Sequence, residues 1–268
     1  MNPMKNSLFA PRRPRAGFTL IELLVVIAII GILAAMLLAV LPGVTNAGKN
    51  TKAKLEAQAI ATAIEQYDSA YGRFPVSSGV QTVAGTGDFT YGGSIISNYV
   101  SSGALPPATY SIYETNNSEV IAILMNLTNY PNGSGPTANA NYQKNPQKTT
   151  FLIAKMSGWD PSQGGTPQPG VGNDLVYRDP WGNPYIISMD LNYDDQCEDA
   201  VYRLKLVSQQ NGSAGYNGLI NTTDAGGNGD HFRYHGKVMV WSAGRDGKID
   251  PGNNVNDWEN KNNILSWQ

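Results

Sequence analysis

Between Phe18 and Leu41 the chain runs for 24 residues without a Lys, Arg, Asp, Asn or Gln, and one carboxylate, Glu22, sits near the start of the run. At about 1.5 Å per residue a helix of that length covers roughly 36 Å, enough for a hydrocarbon layer of about 30 Å. The stretch predicts a membrane-spanning helix. A cleaved secretory signal has an apolar region of only about 7 to 15 residues ending at a small-residue site. Ala34-Ala35-Met36 imitates such a site, but the run is too long for that reading. A plain single-span anchor explains the length and leaves the acid unexplained. Charged side chains at a helix centre cost about 2.5 to 3.5 kcal/mol on insertion scales, so an ionisable residue inside a span marks a functional position with a partner. Glu22 calls for a cation.

The residues before the run show where that cation comes from. Lys5, Arg12, Arg13 and Arg15 precede Gly17 with no acid among them. By the positive-inside rule they hold the N-terminus in the cytoplasm and send everything after Leu41 across the membrane. A cut after Gly17 would give Phe18 a new amino group four residues before Glu22, and that amine, offered by a neighbouring copy, neutralises the buried carboxylate.

Arg15-Ala16-Gly17-Phe18-Thr19-Leu20-Ile21-Glu22, followed by the long apolar helix, resembles the class III signal of type IV pilins and of the pseudopilins of type II secretion. The resemblance implies cleavage after Gly17 by a prepilin peptidase, methylation of the new N-terminus at Phe18, and pairing of Glu22 with a neighbour's N-terminus during assembly. Gly31 matches the helix glycine of that family. Pro42 stands three residues past Ala39, where pilins often carry a proline.

Composition agrees with an exported, anchored globular protein. A chain of 268 residues, 41% hydrophobic, is long enough to bury a sizeable core. Loss of the four leader cations leaves 15 basic against 21 acidic side chains, a net charge of −6. Nucleic acid is excluded as a partner on that balance, because its binding depends on neutralising phosphates with Lys and Arg. A single cysteine, Cys197, permits no internal disulfide and reads as a small buried hydrophobe.

Beyond the span, Ala53, Ala57, Ile60, Ile64, Tyr67 and Tyr71 recur at three- and four-residue steps, which predicts an amphipathic helix ended by Gly72, with Pro75 just beyond. Pro42, Gly43 and Gly48 mark weak helical propensity between the halves of one long helix over 18–71. Residues 73–115 and 131–148 read as polar loops, and 211–230 as an exposed Asn/Gly insertion. Ser118 is a candidate N-cap for a short helix reaching Leu127. Candidate strands lie at 149–154, 184–190, 201–207 and 237–242. One long helix and then strands predicts an α+β fold, pilin-like by resemblance, with the helix packed on a small antiparallel sheet. The expected organisation is a basic leader at 1–17, a transmembrane and assembly helix at 18–41, its amphipathic continuation at 42–72, and a periplasmic head at 73–268.

Two head segments stand out. Arg178-Asp179-Pro180-Trp181-Gly182-Asn183-Pro184-Tyr185 combines turn formers with one large aromatic, and it reads as a rigid turn pinned to the core by Trp181. The string is similar to one in the major pseudopilins of type II secretion. Ser242-Ala243-Gly244-Arg245-Asp246-Gly247 opens a loop rich in carboxylates and amides, a composition that suits Ca²⁺ with its six to eight oxygen ligands. Major pseudopilins carry a similar Ser-x-Gly-x-Asp-Gly loop that binds calcium. The resemblance therefore implies a calcium site with Asp246 as principal ligand and Asp250 and Asp257 as further ones. The Asp-x-Asp ending of those loops is replaced here by Asn256-Asp257-Trp258-Glu259.

Catalysis has no good candidate in the sequence. His231 and His235 are the only histidines and sit in a loop or strand context. The paired Asp194 and Asp195 read as a solvated turn, and no zinc, phosphate-loop or nucleophile-elbow motif is present. The expectation is a structural subunit and no enzyme: a prepilin held in the inner membrane until it assembles into a periplasmic pseudopilus for type II protein secretion. Its implied partners are the prepilin peptidase, copies of itself and other pseudopilins, the inner-membrane assembly platform and membrane lipid. A type IV pilus subunit with an adhesive role is the alternative within the class, and a membrane-anchored extracytoplasmic binding module the alternative outside it.

Overall fold

Leu20 opens a helix that Gly72 ends. In a computed structural model describing residues 17–93, 96, 116–223 and 226–268, helix α1 spans Leu20–Tyr71. Gly72 takes φ +62° and donates its N–H to the carbonyl of Asp68 at 2.7 Å, the left-handed cap that glycine adopts without a Cβ penalty. Side chains of 39–42, including Pro42, lie outside the described residues, as do the basic leader 1–16 and most of 94–115. The chain divides into two units, Met1–Ala47 and Gly48–Gln268.

In the first unit, every described residue from Leu20 to Leu38 is exposed, and nearly all are aliphatic. Among the described residues, α1 is the one helix long and apolar enough to cross a membrane. An apolar surface of that extent needs lipid or other helices as its solvent.

The second unit is built around a four-stranded antiparallel sheet. Its elements after α1 are α2 (Ser78–Ala84), β1 (Phe89–Tyr91), α3 (Ser118–Leu124), β2 (Gly170–Val171), β3 (Tyr177–Arg178), β4 (Ile186–Met189), β5 (Gln196–Cys197), α4 (Lys205–Ser208), β6 (Gln209–Asn211), β7 (Ala214–Gly215), β8 (Ile220–Asn221), β9 (Phe232–His235), β10 (Val238–Ser242) and β11 (Ile264–Leu265). The principal sheet has the order β1-β4-β10-β11, with Val240 opposite Ile187 and Trp241 opposite Ile186. Successive side chains of a strand point to opposite faces. Accordingly, Ile187, Met189, Val238 and Val240 join Ala57, Ile60, Ile64 and Tyr67 of α1 in one core cluster. Ile186, Met239 and Trp241 join Cys197, Tyr202, Val207 and Phe232 in a second on the other face. With both faces covered, β10 is buried along its whole length, and Val238 to Trp241 read as a continuous apolar run. Tyr185 ties sheet to helix, its hydroxyl donating to Glu56 Oε2 at 2.7 Å.

The predicted strands at 184–190 and 237–242 form as β4 and β10, but those at 149–154 and 201–207 do not. The N–H groups of Phe151 and Leu152 both donate to the carbonyl of Leu124, at 2.8 and 3.1 Å, so the segment is tied to the end of α3 and has no donors left for a ladder at those positions. At 201–207, Asp199 Oδ1 accepts from the N–H of Val201 at 2.8 Å and of Tyr202 at 2.9 Å, turning the chain into α4. The expected loop 73–115 contains α2 and β1, and the expected insertion 211–230 contributes strands to a second sheet of order β5-β9-β8-β7-β6. These strands are two to four residues long, too short to leave a period-two signal. Residues 131–148 are turns with one 3-10 turn at Ala140–Tyr142, as expected of a loop. The short helix α3 begins at Ser118, but Asn117 precedes it as cap, its own side chain spent on the backbone of Tyr177 and Tyr185. Cys197 is fully buried, and burial pushes its thiol well above the ordinary range.

Candidate functional site

The segment around Gly17 and Glu22 is positioned by a capping box. Thr19 precedes the first helical residue and Glu22 is the third residue of the helix, the Thr-x-x-Glu spacing in which each side chain reaches the other's backbone. The Thr19 N–H donates to Glu22 Oε2 at 2.9 Å and its hydroxyl donates to the same oxygen at 2.6 Å. In return, the Glu22 N–H donates to Thr19 Oγ1 at 3.3 Å. Two otherwise unpaired donors at the start of α1 are thereby satisfied, and the carboxylate is held at the helix N-terminus, where the macrodipole favours negative charge. The Thr-x-x-Glu spacing that makes the box is present in the sequence.

Gly17 and Phe18 lie outside the helix and are exposed, Phe18 at 76%. A Cβ placed on Gly17 meets nothing within 4 Å. Among the described residues no packing contact explains a glycine there. Among the described residues, nothing lies within 4 Å of a Cβ built on Gly31 either.

The Asp179 turn is buried as expected, but its anchor differs. Trp181 is only partly buried, with the Lys49 ammonium 5.8 Å from its ring. Asp179 is the fully buried residue: Oδ1 accepts from the N–H of Trp181 at 2.8 Å and of Asn183 at 2.9 Å, while Oδ2 accepts from Ser242 Oγ at 2.5 Å. Burial raises its pKa from the ordinary carboxylate value, and these donors oppose the rise.

That bond ties the turn to the start of the acidic loop. Asp246, Asp250 and Asp257 are not gathered there: among the described residues, no three His, Cys, Asp or Glu side chains are placed to share a metal ion. Each carboxylate is taken up locally. Asp246 accepts from the Lys248 N–H at 3.3 Å and from Asn262 Nδ2 at 2.5 Å. Asp250 accepts from the Gly252 N–H at 2.9 Å and from Asn253 Nδ2 at 2.7 Å, and Asp257 accepts from Asn254 Nδ2. The three carboxylates alone do not fit a calcium ion. The residue that organises the loop is Asn260, which sequence reasoning missed, because a lone asparagine in an Asn-rich run carries no pattern.

His235 lies at the end of β9, its Nδ1 3.0 Å from the Asp195 carbonyl, and His231 lies just before that strand, 3.7 Å from Glu198. They do not share a helix face. Asp194 and Asp195 are exposed.

The long apolar N-terminal helix followed by antiparallel sheets is an α+β, pilin-like architecture. The prokaryotic N-terminal methylation motif matches residues 12–38, which carry the Gly17 junction, Glu22 and most of the apolar run. The chain is 45% identical over 56 residues to the type II secretion system core protein G of Pseudomonas aeruginosa, a match covering 21% of this chain and 39% of that relative. The likeness is thus to a secretion pseudopilin over a limited segment, and it spans about two fifths of the relative's length. No solved structure matches the chain.

Proposed function

We propose that this protein is a structural subunit, cleaved after Gly17 and methylated at Phe18 by a prepilin peptidase, held in the inner membrane with its head in the periplasm, and assembled into the pseudopilus of a type II secretion system. The observation that carries the reading is the pairing of an exposed, unconstrained Gly17–Phe18 junction with a capped helix start at Glu22 and an exposed aliphatic helix behind it. The methylation-motif match and the similarity to core protein G support it.

In this reading α1 is stable in two solvents. It lies first in lipid, and its aliphatic surface is then covered by the same helix of neighbouring subunits at the filament centre. The Thr19–Glu22 box holds a carboxylate four residues after the new Phe18 amine, so that one subunit's acid is offered to the next subunit's N-terminus without a buried charge left unpaired. Its partners are copies of itself, other pseudopilins and the inner-membrane assembly platform. Mass spectrometry of the protein purified from cells with and without the peptidase tests the first step. A methylated Phe18 N-terminus that appears only with the peptidase is the expected result. An unprocessed chain in both strains, or a cut elsewhere, sinks the reading.

A further inference from the structure

Three backbone carbonyls of the C-terminal loop turn inward on one point, and an asparagine nitrogen occupies it. The loop leaves β10 after Ser242 and returns at Ile264, which is paired with Ser242 in the sheet, so both of its ends are fixed. Asn260 is 2% exposed. Its Nδ2 lies 2.7 Å from the carbonyl oxygen of Asp250, 2.8 Å from that of Asn253 and 3.4 Å from that of Asn254. Its Oδ1 accepts from the Asp250 N–H at 2.8 Å. This orientation of the amide is enforced: the reverse would set an acceptor against three carbonyls and a donor against an N–H.

Drawing several carbonyl oxygens of a loop onto one centre is what a hard cation does, at 2.3 to 2.6 Å. Asn260 gathers the same kind of oxygen with two N–H donors and no net charge. The carboxylates that would neutralise a cation are turned away from this centre, Asp250 onto Gly252 and Asn253, and Asp246 onto Asn262. Amides recur at the other end of the loop, where Asn183 Nδ2 donates to the Gly244 carbonyl at 2.7 Å. Ile249 and Val255, both buried, supply apolar anchors between.

We propose that the Asn260 carboxamide stands in for a structural cation, so that the C-terminal loop holds its fold without calcium. The inference concerns the head alone and does not rest on the filament reading.

The test is thermal unfolding of the full-length chain in detergent micelles, followed by tryptophan fluorescence, in EGTA and in calcium chloride. The wild-type midpoints coincide in the two buffers. Asn260→Ala leaves partly buried carbonyls without donors and lowers the midpoint by several degrees in both. Asn260→Asp places a carboxylate against the same carbonyls, lowering the midpoint in EGTA, and calcium restores much of the loss. A wild-type midpoint that rises with calcium overturns the proposal, as does saturable terbium luminescence from the wild-type protein. So does an Asn260→Ala protein that melts like wild type, or an Asn260→Asp protein whose lowered midpoint calcium leaves unmoved. Should neither variant accumulate, the wild-type comparison and the terbium titration decide the matter.

Discussion

Thr19 and Glu22 hold each other at the start of α1, each side chain bonded to the other's backbone N–H. The acid that reads in the sequence as an unpaired charge in a membrane span is, within a single chain, already part of a helix cap. The cap and the assembly role proposed above would fall to one side chain, and they separate by substitution. Glu22→Gln keeps a capping oxygen and loses the charge, whereas Glu22→Ala loses both. Membrane insertion should survive in both variants, because the aliphatic run is untouched. Filament yield should fall sharply in both if the charge is what assembly uses. Thr19→Ala keeps the charge and removes a cap worth about 0.5 to 2 kcal/mol, so it should assemble with a milder defect. Carbonate-resistant membrane association and sheared or crosslinked filament yield are the two readouts, and wild-type yield from Glu22→Gln refutes the assembly role.

Asp199 is buried beneath the sheet and bonded on both oxygens. Oδ2 accepts from Ser188 Oγ at 2.6 Å and from Trp241 Nε1 at 2.9 Å, and Oδ1 turns the chain through Val201 and Tyr202. Asp199→Ala takes this acceptor from the Trp241 indole N–H and from the Val201 and Tyr202 N–H groups, while the Ser188 hydroxyl keeps Thr90 Oγ1 as a neighbour at 2.8 Å. The expected cost is several kcal/mol, since each buried donor left unsatisfied costs about 1 to 3 kcal/mol. Chemical denaturation should show a lower midpoint with little change in slope. A loss within about 0.5 kcal/mol, typical of a surface substitution, would show that the network is not a determinant of stability.

Asp88 supplies the pH dependence. Burial, together with the nearby carboxylates of Asp190, Asp194 and Glu198, pushes its pKa from 3.8 up to about 7, against the lowering effect of the Glu198 N–H at 2.6 Å. A folded-state value above the unfolded one means that the folded chain binds the extra proton between pH 4 and 7. This contribution is therefore greatest below about pH 4, falls as pH rises to 7 and is flat above it. Asp88→Asn retains an acceptor for Glu198 and removes the titration. It should melt at higher temperature than wild type at pH 8 and lose part of the wild-type slope between pH 5 and 7. Parallel melting curves for the two proteins across that range would refute the assignment.

What could be read from the residues depended on whether they formed a period. The α1 stripe from Ala53 to Tyr71 and the runs that became β4 and β10 were legible, because burial on a helix face or in a central strand repeats along the chain. Segments decided by a single distant bond were not. Phe151 and Leu152 look like a strand until Leu124 accepts from both, and Val201 to Val207 look like one until Asp199 turns them. The same contrast divides the candidate sites. Gly17, Thr19 and Glu22 are local and spaced, so their arrangement follows from spacing alone. Asn260 acts across ten residues on carbonyls that any sequence possesses, and nothing at the level of residue type distinguishes it from its asparagine neighbours.

Two glycines of opposite character give the last prediction. Gly244 takes φ +65°, and a Cβ built there falls 2.1 Å from the Asn262 carbonyl oxygen, a backbone atom that cannot step aside without reopening the loop. Gly48 lies exposed in α1, with nothing within 4 Å of its Cβ position. Gly244→Ala combines left-handed strain of about 1 kcal/mol or more with a clash against backbone, and it should destabilise the head clearly. Gly48→Ala restricts the unfolded chain and favours helix, a gain of about 0.4 to 1 kcal/mol. Melting of the two full-length variants side by side should move the midpoint in opposite directions. A neutral Gly244→Ala would mean that the loop does not pass as close to Asn262 as this fold requires, and a destabilised Gly48→Ala would mean that α1 needs glycine there for a reason outside its own backbone.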